Sequence, residues 1–113
     1  EVALKEHVSD KTSWQKMLKN EVADADLLTY RVSLAAYLPE EVKPYFTESY
    51  DKITTINFPV IQYPQKIRSL NLEKTPEFAG KLVGIKGQYL IFDDQTVFNV
   101  RNSEGYKVKL NIL

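Results

Sequence analysis

Residues 80–112, GKLVGIKGQYLIFDDQTVFNVRNSEGYKVKLNI, restrict the fold more than any other part of this chain. They read as four short strands separated by turn signals. Tyr106, Val108, Leu110 and Ile112 alternate with Lys107, Lys109 and Asn111. That period of two sorts apolar and polar side chains onto opposite faces of an extended backbone. Residues 88–92 (QYLIF) and 96–101 (TVFNVR) are rich in the aromatic and β-branched types that suit a pleated, half-buried surface. Asp93-Asp94-Gln95 and Asn102-Ser103-Glu104-Gly105 divide them with residues that tolerate tight turns. Gly84 and Gly87 bracket Ile85-Lys86, a spacing suited to a tight turn or a bulge that bends the sheet. With residues 78–85 as a further strand, the set curls into a small antiparallel barrel of the OB or SH3-like kind, or stays an open curled sheet. The barrel is the preferred of the two.

The first part of the chain is helical in period. Leu4 and Val8 share a face, and Ser9-Asp10-Lys11 interrupts that segment. Thr12-Ser13-Trp14-Gln15 fits a capping box, Trp14, Met17 and Leu18 follow as one apolar stripe, and Asn20 is a suitable stop. Trp14 is expected to be the anchor of this half. Asp24 or Asp26 can cap the next helix, whose face runs through Leu27, Leu28, Arg31, Leu34, Ala35 and Leu38 to Pro39. Pro39 can restart a single turn that Pro44 limits. After Tyr50-Asp51 the period becomes strand-like: Ile56, Phe58 and Val60 alternate beside Pro59, which marks an edge or an end. Ile67, Leu70 and Leu72 pack back as a short extended piece. The expected organisation is α+β, a helical segment over 1–47 and a β-rich segment over 48–113, packed as one body.

Fifteen basic and fifteen acidic residues cancel, so no global field draws in nucleic acid or a membrane. The balance is also local: residues 1–76 hold ten basic and eleven acidic groups, residues 77–113 five and four. A charged site must therefore be a patch. With no cysteine, disulfides, thiolate catalysis and cysteine zinc sites are excluded for this stretch, which fits a cytoplasmic location. No apolar run reaches the roughly 18 residues a membrane helix needs. A first residue already inside a helical pattern, without an initiator Met, reads as a piece of a longer protein.

Residue chemistry narrows the site further. His7 is the single histidine and has no partner at ligand spacing, so a surface or half-buried helical histidine is the reading. Asp93-Asp94 is explained by a polar hairpin turn. Gly84-x-x-Gly87 lacks the following Lys-Ser/Thr and the helix that a phosphate loop needs. Lys81, Lys86, Arg101, Lys107 and Lys109 lie on the terminal strands, with Tyr89 as the expected stacking ring because the alternation assigns Tyr106 to the apolar face. Cations interleaved with aromatic rings are what single-stranded nucleic acid requires. Lysines on solvated strand faces and sheet edges give the same pattern without any ligand.

Three stretches carry a family resemblance: EVALKEHVSDKTSW at 1–14, GIKGQYLIF at 84–92, and FNVR at 98–101 with Gly105-Tyr106. They resemble the bacterial domain-of-unknown-function family numbered twenty-seven ninety-seven, over the whole chain but as the C-terminal part of a longer member. The resemblance implies an upstream cysteine-rich, zinc-site-like segment followed by a region similar to the GIY-YIG nuclease fold. Within it, Glu1-x-x-Leu4 looks like the helix that supplies the metal-binding glutamate of such domains, a carboxylate that would hold a divalent ion against a phosphate. The tyrosines and arginine of that chemistry would lie upstream, so this stretch is expected to be inert alone and to carry no cofactor, with a divalent metal confined to the longer protein. Two functions follow as expectations. One is an accessory region that contacts nucleic acid beside an upstream GIY-YIG-like domain. The other is a protein-interaction or purely structural module, with that upstream domain as a partner.

Overall fold

The computed structural model describes residues 2–9, 11–47, 49 and 52–113. The chain divides into two compact units, Glu1–Met17 with Glu21–Ile56, and Leu18–Asn20 with Asn57–Leu113.

The first unit is built from short helical pieces. A 3₁₀ turn, Val2–Leu4, is followed by one closing turn in which the His7 and Val8 N–H groups both donate to the Leu4 carbonyl. The helix expected there is thus a turn or two, since so short a run gains few backbone bonds for its nucleation cost. Helix α1 (Trp14–Leu18) opens on Ser13, whose carbonyl accepts from the Met17 N–H, one residue later than a Thr12 cap requires. It closes as the sequence predicts. Asn20 takes a left-handed φ of 59°, and the Glu21 N–H reaches back to the Lys16 carbonyl at 2.9 Å, the six-to-one bond of a Schellman end.

Helix α2 (Leu27–Ala35) is capped by Asp26, not Asp24. The Asp26 carboxylate accepts from the Leu28 and Thr29 N–H groups at 3.0 and 3.3 Å and from the Thr29 hydroxyl at 2.6 Å. Those bonds, the hydroxyl first, hold its pKa below the usual value. Arg31, Leu34, Ala35 and Leu38 are half-buried, whereas Leu27 and Leu28 remain exposed. The Arg31 guanidinium lies 4.8 Å from the Phe46 ring centroid and donates to the Thr47 carbonyl. Pro39 and the 3₁₀ turn Lys43–Tyr45 complete the unit.

The second unit is a four-stranded mixed sheet, curled but not closed. Its strands are β1 (Arg68–Ser69), β2 (Leu82–Lys86), β3 (Tyr89–Phe92) and β4 (Thr96–Asn99), in the order β1-β4-β3-β2. β2 and β3 form a hairpin across Gly87-Gln88, with Gly87 at φ 59°, a left-handed conformation that a residue without Cβ adopts at little cost. The register slips between Leu82 and Gly84, a bulge that bends β2. Gly84 lies against Val60, which bridges to it, and a Cβ built there would be 2.9 Å from Val60 Cγ1. Gln95, at φ 70°, ties β1 to the β3–β4 turn: its carbonyl accepts from the Arg68 N–H and its Oε1 from the Lys66 N–H. The core is small: Leu18, Val83, Tyr89, Ile91 and Val97.

Three expectations are corrected. The sheet is not a barrel, and it is not all antiparallel, because β1 runs parallel to β4. The piece at 56–60 forms no strand; it meets β2 at the Val60–Gly84 bridge and through the Pro59 carbonyl, which accepts from the Ile85 N–H. Residues 106–112, expected as the last strand, run exposed with no strand beside them among the described residues. Alternation assigns the faces of an extended segment, but a strand also needs a neighbour for its N–H and C=O groups. No described helix is long and apolar enough to cross a membrane.

Candidate functional site

Two places in the second unit gather unusual chemistry. The first surrounds Lys86, the last residue of β2, which is only 7% exposed. Its ammonium lies 5.0 Å from the Tyr63 ring centroid and 5.5 Å from that of Phe58, and donates to the Asn20 Oδ1 at 3.3 Å. A buried charge persists only where such partners replace water. Asn20, at its left-handed φ of 59°, belongs to the same compact unit as β2. Lys86 is thereby built into the fold.

The second is the segment 106–112. Tyr106 anchors its start, donating its hydroxyl to the Glu73 Oε1 at 2.6 Å, and that bond to a carboxylate raises the phenol's pKa. Gly105, at φ 90°, turns the chain away from the 3₁₀ turn Arg101–Ser103. Beyond it Val108, Leu110 and Ile112 stand 65%, 82% and 90% exposed. Lys107 and Lys109 are exposed between them.

The expected basic face is therefore dispersed. Lys86 and Tyr89 form the closing pair of the hairpin and are both buried, so neither presents an open surface to a nucleic-acid strand. Lys81 lies at the other end of that hairpin, where its carbonyl accepts from the Asp93 N–H. Arg101 follows β4 at the turn end, next to the Val100 N–H bond to the Gln88 carbonyl. Strand rise separates those two ends by on the order of 20 Å. Lys107 and Lys109 share the free segment.

Glu1, the residue assigned to metal by resemblance, lies outside the described residues. Among the described residues no group of three His, Asp or Glu side chains could hold a metal ion. His7 is exposed and stacks on Tyr37 with ring centroids 3.6 Å apart. A cavity of about 290 Å³ in the first unit is lined by Ala35, Leu38, Lys43 and Phe46, and the Lys43 ammonium is neutralised by Glu40. Among the described residues no acid–base pair lines it. Asp94 accepts from the Thr96 N–H and hydroxyl at 3.0 and 2.8 Å, which lowers its pKa and identifies it as a turn-capping carboxylate.

The Asn20–Lys86 bond escaped sequence reasoning. Asn20 was legible as a helix stop, but nothing in the sequence ties it to a lysine 66 residues on.

Fold and site together define an α+β module with a buried lysine at the end of β2 and an exposed, alternating segment at 106–112. A family model described as "Protein of unknown function (DUF2797)" matches residues 1–108, and the chain belongs to that family. No curated protein and no solved structure matches it. Nothing among the matches links it to GIY-YIG nucleases.

Proposed function

We propose that this chain is a protein-interaction module with no chemistry of its own, and that residues 106–112 are its contact element. One observation carries the reading: a faultless apolar–polar alternation lies exposed, with no strand beside it among the described residues. An extended segment in that state is suited to strand addition, in which main-chain bonds supply affinity and alternate side chains supply selectivity. The dispersal of the cations supports the same reading.

A photoreactive residue placed in turn at positions 107–112 tests it in cells producing the protein. Adducts to polypeptide at 108, 110 and 112, and few at 107, 109 and 111, are expected. The accessory nucleic-acid reading rests on Lys107 and Lys109 and is the competing outcome. It would appear as adducts to nucleic acid, and as low-salt oligonucleotide binding whose log–log salt slope falls by about 0.7 per lysine removed.

A further inference from the structure

The geometry points to the partner of this segment being the open edge strand of a different protein's sheet, carrying Asp or Glu at alternate positions on its solvent face. This rests on the reading that 106–112 meets protein, and it names what that protein must offer.

The charge pattern carries the argument. Residues 105–113 contain two lysines and no acid, and an added strand places Lys107 and Lys109 on one face about 7 Å apart. Directly opposed cross-strand side chains approach within about 5 Å, so opposite charges there attract and like charges repel. An edge with carboxylates two residues apart meets both ammonium groups. The apolar Val108, Leu110 and Ile112 then fall on the face that the partner's sheet extends.

The sheet edges among the described residues do not fit. The outer side of β2 is occupied by residues 59–61, through the Ile61 N–H to the Val83 carbonyl, the Ile85 N–H to the Pro59 carbonyl, and the Val60–Gly84 bridge. At the other edge β1 is only two residues long, and both the Arg68 and Leu70 N–H groups are turned inward to the Gln95 and Val97 carbonyls. That leaves Ser69 as the single outward residue of β1, beside a cationic Arg68. Pairing two copies of the segment is no better. Antiparallel registers centred on Lys109 or Val108 set lysine against lysine. The register centred on Leu110 avoids this, but a lone two-stranded ribbon is marginal in water.

The test uses the whole chain and three versions of one small designed sheet protein with an open edge, bearing glutamate, threonine or lysine at two alternate solvent-facing positions. Titration followed by fluorescence anisotropy should give affinities in the order glutamate, threonine, lysine, with about three- to tenfold between the first two for two cross-strand pairs. Lys107→Glu/Lys109→Glu should invert the order. Leu110→Pro should abolish binding to all three, and circular dichroism checks that the sheet is intact in both variants. Equal affinities, or an order that does not invert, overturn the acidic-edge inference while leaving the interaction reading standing. Binding to none of the three, with adducts confined to nucleic acid, defeats both. A dimer in sedimentation that Leu110→Pro abolishes makes a second copy the occupant and overturns the inference.

Discussion

Replacing Asn20 by alanine and by glycine separates two contributions that this residue makes at once. Its φ of 59° is left-handed, a conformation that costs an ordinary L-residue about 1–2 kcal/mol and glycine almost nothing. Its Oδ1 also accepts from the buried Lys86 ammonium at 3.3 Å, and a bond to a charged group of that length is worth about 1 kcal/mol, below the usual range for charged partners. Asn20→Ala loses both, about 2–3 kcal/mol. Asn20→Gly keeps the backbone relaxed and loses the bond, with up to about 1 kcal/mol more from glycine's greater freedom when unfolded, a total of about 1–2 kcal/mol. Urea denaturation followed by circular dichroism reads both values, and alanine should be the worse by about 1 kcal/mol. Repeating the glycine change in a Lys86→Met background isolates the bond, because the methionine keeps most of the stem's volume and removes the donor. The coupling should be about 1 kcal/mol. Equal losses for alanine and glycine would refute the left-handed helix end. A coupling of zero would refute the bond between Asn20 and Lys86.

Leu18→Ala should destabilise by about 2–5 kcal/mol, and Trp14→Ala by less than the roughly 3–5 kcal/mol of a buried tryptophan, since Leu18 is fully buried and Trp14 only half so; the two denaturation midpoints decide. Gly84→Ala should lower the thermal midpoint because its Cβ meets Val60 Cγ1 at 2.9 Å, and Val60→Ala in the same chain should recover part of the loss. Hydrogen bonds from Thr96 and Thr29 hold the Asp94 and Asp26 carboxyls below the ordinary aspartate value, so their contributions are present above the unfolded value and disappear as pH falls through the lowered folded ones. An acid titration of stability should therefore flatten in Asp94→Asn.

The parts of this fold that were legible from sequence are those where a local rule leaves one choice. Asn20 ended α1, Pro39 followed α2, Gly87 made the hairpin turn, and the stretches around Leu90 and Val97 became β3 and β4. The errors came where the outcome depends on a distant partner. The alternation at 106–112 fixed two faces but supplied no neighbour, so the expected last strand and the barrel it would have closed are absent from the sheet. Lys86 sits in a period that also describes a solvated lysine, and the rings of Phe58 and Tyr63 and the amide of Asn20, all distant in sequence, help to turn it inward. Tyr89, the expected stacking ring, differs for the same reason: its place in the alternation does not reveal that it belongs to the core.

Amide hydrogen exchange across residues 107–113, in the free chain and with the glutamate-edged sheet protein, tests the central claim most directly. In the free chain these amides should exchange at unprotected rates while those of Ile91 and Val97, at the centre of the sheet, exchange slowly. On binding, every second amide of the segment should become protected, because an added strand turns only alternate N–H groups toward its neighbour. Protection already present in the free chain, or none gained in the complex, would contradict strand addition.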